Sequence, residues 1–411
     1  MEVISNSNMS MNNSINNSIN SSSNHSSFKH CNHQTSFQRK RSSLYLESDK
    51  SCIDDDERRN DNNVKGKHVN QRSKNNTLND GEFKPIAGST SIQIENPTDP
   101  AIDEDGNVFA GWRNVDPSLI QVRGVGYNQS NRKINSPGDL YKCIKADVFE
   151  SDKRYPDMAS RVILPKVVFD DDDFTKKHKT WTAPDLFVIT TALPTSQPKF
   201  MGGETSDGAG YTVTMYFAMQ QETRDILRRI TADGYKREDD NDDSINNNQS
   251  KINAVRLFEE WCRRAPIDED FMSRFKVISR AENLEEIGLP SWISKFNGKP
   301  FLVRRPGQTG FLFNHPEQSC MEFDVSLHPF PYLAKKGICY MKDSYFQKTV
   351  VTFAFCIEGR EEDELPECIL GAFQLCYPNP VHAIRGEDFF AGKCQTSHKT
   401  IANKLTNKLT N

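Results

Sequence analysis

Two carboxylates spaced two residues apart, Glu322 and Asp324, stand on one side of an alternating segment, Met321 to Leu327. Its other side (Met321, Phe323, Val325, Leu327) is apolar, as a half-buried strand requires. Facing solvent, the pair would be ordinary surface acids or salt-bridge partners. Lining a cavity, or meeting Arg304 or Arg305 on a neighbouring strand, it would fix the polar end of a ligand. A second group is cationic. Lys335 and Lys336 open an amphipathic segment beside Tyr332 and Leu333. An anionic membrane attracts each such lysine by ~1 kcal/mol and accepts the aromatic ring at headgroup level. A core helix whose lysines snorkel to solvent is the plainer alternative. The run Lys176-Lys177-His178-Lys179-Thr180-Trp181 allows the same two readings.

Signals for catalysis are sparse. His315 and His328 each precede a proline at the end of a strand pattern. Imidazole suits a general base, but neither histidine has a visible nucleophile or carboxylate partner. The run Asp170 to Asp173 reads as a solvated turn. Gly124-Val125-Gly126 lacks the third glycine and the helix of a dinucleotide loop, and GxSxG, HExxH and GxxxxGK[ST] do not occur. His25, His30, Cys31 and His33 fit no regular zinc spacing. No catalytic residue, metal or cofactor is therefore expected. Gln38 to Leu44 (QRKRSSL) places cations just before Ser42 and Ser43, as a basophilic kinase requires, so both are candidate phosphorylation sites.

The elements that must position these groups are mostly strands. Leu119–Gly124, Leu140–Phe149, Leu186–Leu193, Tyr211–Met219, Arg274–Arg280, Pro300–Arg304, Gly310–Phe313, Met321–Leu327, Thr349–Ile357 and Glu367–Tyr377 all read as extended. Helices fall between runs of strands. In one of them Val255, Phe258, Trp261, Cys262 and Ala265 share a face, and Pro266 ends it. Another carries the stripe Ala334, Ile338, Met341 and Tyr345. Helices inserted between strand runs predict an α+β fold: one large domain with a mostly antiparallel, curved sheet.

Composition sets the boundaries. Hydrophobic residues make up 36 % of the 411, and all four tryptophans lie beyond residue 105. Ser and Asn supply 18 of the first 27 residues, too little apolar surface to offset a backbone entropy cost of ~1–2 kcal/mol per residue. The expected organisation is a disordered tail over 1–105, a domain over 106–380 with a disordered acidic insertion at 236–251, and a loose basic tail over 381–411. The longest apolar run, Val350–Ile357, is far short of the ~20 residues of a membrane-spanning helix. MEVISNSNMS shows no signal-peptide pattern. Ten cysteines without a CxxC pair read as reduced thiols. A net charge of −4 argues against a nucleic-acid partner.

Six segments, in order, resemble one family. Ile120–Asn128 (IQVRGVGYN) is similar to the opening VRG-x-x-Y signature of the C-terminal domain of plant Enhanced Disease Resistance 2 proteins. Ala146–Phe149 is similar to its VDLF, Arg274–Arg280 to its RFKLIPR, Asn297–Val303 to its GNKPVLL and Met321–Leu327 to its LEIDVDI. The longest match is Phe355–Phe373 (FCIEGREEDELPECILGAF), similar to FLIEGQTEEELPERLLGA. The resemblance covers most of residues 108 to 378. Plant members often carry pleckstrin-homology and START domains ahead of this one. A Ser/Asn-rich segment stands there instead, so those lipid-binding activities do not transfer. The family domain has no established catalytic residues. The resemblance implies the domain's fold and an association with lipid or membrane regulation.

These readings combine into one expectation. The protein is a cytoplasmic, non-enzymatic lipid-binding or membrane-associated regulator, peripheral on anionic membranes through Lys176, Lys177, Lys179, Arg304, Arg305, Lys335 and Lys336. A soluble scaffold binding a protein partner is the alternative.

Overall fold

The computed structural model describes residues 83–96, 101–102, 108–170, 179–198, 207–236 and 249–393, within the unit Leu78–Asn411. The strands are β1 (Ile92–Gln93), β2 (Ala101–Ile102), β3 (Val108–Phe109), β4 (Gly111–Asn114), β5 (Gln121–Arg123), β6 (Lys133–Asn135), β7 (Tyr141–Ser151), β8 (Leu186–Pro194), β9 (Gly210–Met219), β10 (Phe275–Ala281), β11 (Pro300–Leu302), β12 (Gly310–His315), β13 (Cys320–Ser326), β14 (Val350–Ile357), β15 (Gly371–Cys376) and β16 (Ile384–Arg385). Twelve of them form two six-stranded sheets, in the orders β1-β4-β15-β14-β10-β11 and β12-β13-β8-β9-β7-β16. Neighbours are antiparallel except β1/β4, β8/β13 and β7/β16. The expected α+β class with mostly antiparallel pairing holds, with the strands divided between two sheets.

Alternation explains why the sheets meet. In β9 Val213, Met215, Phe217 and Met219 share one face; in β14 Val351, Phe353, Phe355 and Ile357 do. These faces bury against each other, with Phe217 and Phe355 ring centroids 6.0 Å apart and Phe275 and Phe323 4.3 Å apart. The helix Gln249–Arg264 adds its apolar stripe to the same core. Its Trp261 lies 5.7 Å from Phe275 and 5.6 Å from Phe323. Gly371 permits the closest approach: a Cβ there would sit 2.6 Å from Phe217 Cδ1. The described cysteines are free and buried; burial pushes the Cys356 and Cys368 thiols up to about 12.

Both expected domain boundaries need correcting. Residues 83–96, expected in the tail, belong to the fold. β1 pairs with β4, Ala87 donates its N–H to the Ile163 carbonyl, and Thr90 and Ser91 are buried. The segment carries Phe83, Ile86, Ala87, Ile92 and Ile94, but its one strand is two residues long, too short to show a period beside the Ser/Asn-rich stretch before it. The expected loose tail from 381 also begins too early. β16 pairs with β7, and Phe389 is buried 5.4 Å from Phe149. At the predicted acidic insertion, the helix already starts at Gln249, and 237–248 lie outside the described residues.

Candidate functional site

The alternation of β14 builds two different surfaces. Phe355 is wholly buried, but toward the start of the strand the packing between the sheets opens. Val351 and Phe353 there line a cleft with Val148 and Val213 of the second sheet and Leu375 of β15. The cleft is partly open, and its empty space of about 660 Å³ includes the solvent at its mouth. Pro378 to Ile384 crosses its mouth as the chain passes from β15 to β16. Few polar residues line it, among them Thr90, Tyr211, Asn379 and His382. Burial, with Glu150 and Asp343 nearby, pushes the Tyr211 hydroxyl well up, so it stays neutral. An apolar slot with a sparse polar rim suits a ligand with an apolar body and a polar end.

The segments that carry the longest sequence motifs converge elsewhere, on a buried ion network. Glu367 accepts from Lys276 Nζ at 2.6 Å, Gly359 N at 3.0 Å and Arg123 N at 3.2 Å. Glu358 accepts from Arg123 at 2.9 Å and Arg360 at 3.0 Å. Arg274 donates to Glu364 at 2.8 Å. Lys276 and Glu367 are almost fully buried. Each of these carboxylates has cationic partners, so the network pins three chain segments together and leaves no charge to offer a ligand. Sequence reading passed over these groups, because segments 90 to 244 residues apart carry no local spacing signal.

Glu322 and Asp324 face neither solvent nor a ligand cavity, and neither pairs with Arg304 or Arg305, contrary to the ligand-fixing expectation. Both faces of β13 are buried. Glu322 accepts from the backbone N–H groups of Met158 and Ala159, at 3.0 and 2.6 Å, and from the Thr190 hydroxyl at 2.6 Å. Asp324 accepts from Asp157 N at 3.3 Å and faces Arg154 at 3.8 Å. Asp147 does the same on β7, accepting from Gly88 N, Thr90 N, the Thr90 hydroxyl and Tyr216. These acids tie covering segments to the outer face of the second sheet. Burial, then the adjacent Glu322, raises the Asp324 carboxyl well above the usual range. Burial likewise raises Asp147, against its hydrogen bonds. His315 has the carboxylate partner that the sequence did not reveal, Asp157 at 2.7 Å. Buried His328 is pushed down by desolvation.

The predicted cations do not form one surface. Lys179 donates to Ser319 at 2.8 Å, pairs with Asp185 at 3.4 Å and lies 5.9 Å from the Trp181 ring. It sits by the first residue of β13, whereas Lys335 and Lys336 follow the last. Seven residues of strand put roughly 20 Å between those ends. Arg305 donates to the Pro329 carbonyl at 2.7 Å, just ahead of the helix Tyr332–Ser344. That places it and exposed Arg304 near Tyr332, Leu333, Lys335 and Lys336. Tyr332 and Leu333 are 37 and 48 % exposed, and Lys336 lies 5.9 Å over the Tyr332 ring. The helix runs back toward the cleft: Cys339 bonds the Pro194 and Ser196 carbonyls, and Phe346 just beyond it lines the cleft. Lys176, Lys177, Ser42, Ser43 and the histidines near residue 30 lie outside the described residues. Among the described residues no group of three His, Cys, Asp or Glu side chains could hold a metal ion. No helix there is long and apolar enough to cross a membrane.

A family model described as "Protein ENHANCED DISEASE RESISTANCE 2, C-terminal" matches residues 112–379. That span runs from β4 to the strand connection over the cleft. Nothing among curated proteins or solved structures matches the chain.

Proposed function

The chain belongs to the Enhanced Disease Resistance 2 C-terminal family, and we propose that its folded unit is a non-enzymatic lipid-binding module that works in the cytoplasm, peripherally on membranes. The observation that carries this reading is the apolar cleft between the sheets. It continues the core without a break, and Val351, Phe353, Val213 and Leu375 offer an acyl chain the contacts it would lose on leaving a bilayer. The exposed Tyr332 and Leu333, with Lys335 and Lys336, supply a second, weaker contact for an anionic membrane surface at the helix that borders the cleft.

Displacement of a fluorescent fatty acid tests the cleft. The wild-type protein is expected to bind the probe, and Val351→Trp, which fills the slot, to abolish binding while leaving the circular dichroism spectrum intact. Vesicle flotation tests the surface. Charge reversal of Lys335 and Lys336 removes two attractions of ~1 kcal/mol each and adds two repulsions. Binding to anionic vesicles should fall by well over tenfold and should weaken as salt shortens the Debye length from ~10 Å at 0.1 M to ~3 Å at 1 M. A protein that ignores both the probe and the vesicles is a scaffold for a protein partner instead.

A further inference from the structure

The outward side of β14 faces a second depression, unrelated to the apolar cleft. Thr352 and Ala354, which alternate with Val351 and Phe353, line it together with Arg280 of β10 and the β5–β6 hairpin. Gln121 pairs directly with Asn135 across that hairpin, and Lys133 lies two residues along on the same face. The depression holds about 880 Å³ of empty space, open to solvent. Its lining contains two cations, two carboxamides and two hydroxyls, and no carboxylate. The carboxylate of Asp116 is engaged by Ser118 N, and that of Glu282 by Arg280 and the Thr352 hydroxyl; neither lines it.

Two of these groups have donors to spare. Arg280 uses Nε and one terminal nitrogen on Glu282 and the other on the Leu119 carbonyl. A guanidinium carries five N–H donors, so N–H groups remain for a ligand. Lys133 is exposed and has no bonding partner among the described residues. An ammonium and a guanidinium suit a phosphate, and the flanking carboxamides of Gln121 and Asn135 suit the hydroxyls of the alcohol that bears it. From this arrangement we infer that the depression is a binding site for a phosphate ester of a small polyol. The ester is either free in solution or the headgroup of a lipid. The apolar cleft lies on the opposite side of β14, so the site stands independently of the acyl-chain reading.

Full-length protein is titrated by calorimetry with glycerol 3-phosphate, and its flotation is measured on vesicles of phosphatidylcholine with and without phosphatidic acid. Lys133→Glu and Asn135→Asp, both at exposed positions, are carried alongside. Each variant is expected to weaken binding ~10-fold or more, the scale of one lost hydrogen bond to a charged group. Fatty-acid probe binding at the cleft should be unchanged in both. Binding in the titration assigns the soluble ester; binding confined to phosphatidic acid vesicles assigns the headgroup. The inference is overturned if neither ligand binds, or if wild type and both variants bind alike.

Discussion

Lys276 and Glu367 form an ion pair at 2.6 Å, almost fully out of water. Removing Lys276 leaves Glu367 buried with Arg123, at 3.8 Å, as its remaining cationic partner, at a cost of up to ~3–5 kcal/mol. Lys276→Met should lower the denaturation midpoint accordingly. Adding Glu367→Gln should recover part of the loss, because the stranded charge disappears. If the double variant is no more stable than the single, the pair is not the source of the effect. Asp324 makes a different prediction. Its folded carboxyl is raised above the usual value near ~3.9, so the native state binds the extra proton. Stability then falls as pH rises from the unfolded value toward the folded one. Asp324→Asn keeps a donor facing Glu322 and removes the titration. Its melting temperature relative to wild type should climb between pH 4 and pH 8; a constant difference would refute the assignment.

Strand β14 shows how one element serves two environments. Its period of two sends Phe355 into the core and Thr352 to the outer polar face, where it accepts from Gln374 at 2.9 Å. Phe355→Ala removes a wholly buried ring that touches Phe217 and Phe275 and should cost ~3–5 kcal/mol in chemical denaturation. Wild-type stability would mean that the core face is not filled as described. On β15, Gly371→Ala forces a methyl to 2.6 Å from Phe217 and should cost ~1–3 kcal/mol by overpacking. Phe217→Leu on the same background should relieve part of that strain.

For the molecule as a whole, the corrected boundaries have consequences. Residues 83–96 supply β1 and the Gly88 and Thr90 groups that satisfy buried Asp147. A chain lacking 1–105 should therefore melt several degrees below one lacking 1–82, by scanning calorimetry. Equal melting temperatures would return these residues to the tail. The long elements were legible because hydrophobic periodicity is local. The alternation in β9 and β13 and the stripe on Gln249–Arg264 place the same residues in the core as the structure does. Short strands such as β1, β6 and β16 were not, because two or three residues are too few to show a period.

The chain's own pattern settled the class of fold, the family motifs and the residues of the main core, since all three are written in neighbouring positions. It could not settle which polar residues end up buried. Glu322 and Asp324 read as either surface acids or a ligand-fixing pair, and their burial follows from a covering segment some 165 residues earlier in the chain that needs acceptors for its N–H groups. The network around Glu367 joins residues from Arg123 to Glu367 for the same reason: charges leave water where distant segments cross, and the crossing is set by how two sheets pack. The cleft also belongs to that packing. Val351 and Phe353 differ from Phe355 and Ile357 in nothing the strand records. Phe355 and Ile357 belong to the main core and Val351 and Phe353 line the cleft, a difference decided by what the facing sheet and the segment Pro378–Ile384 bring opposite each pair.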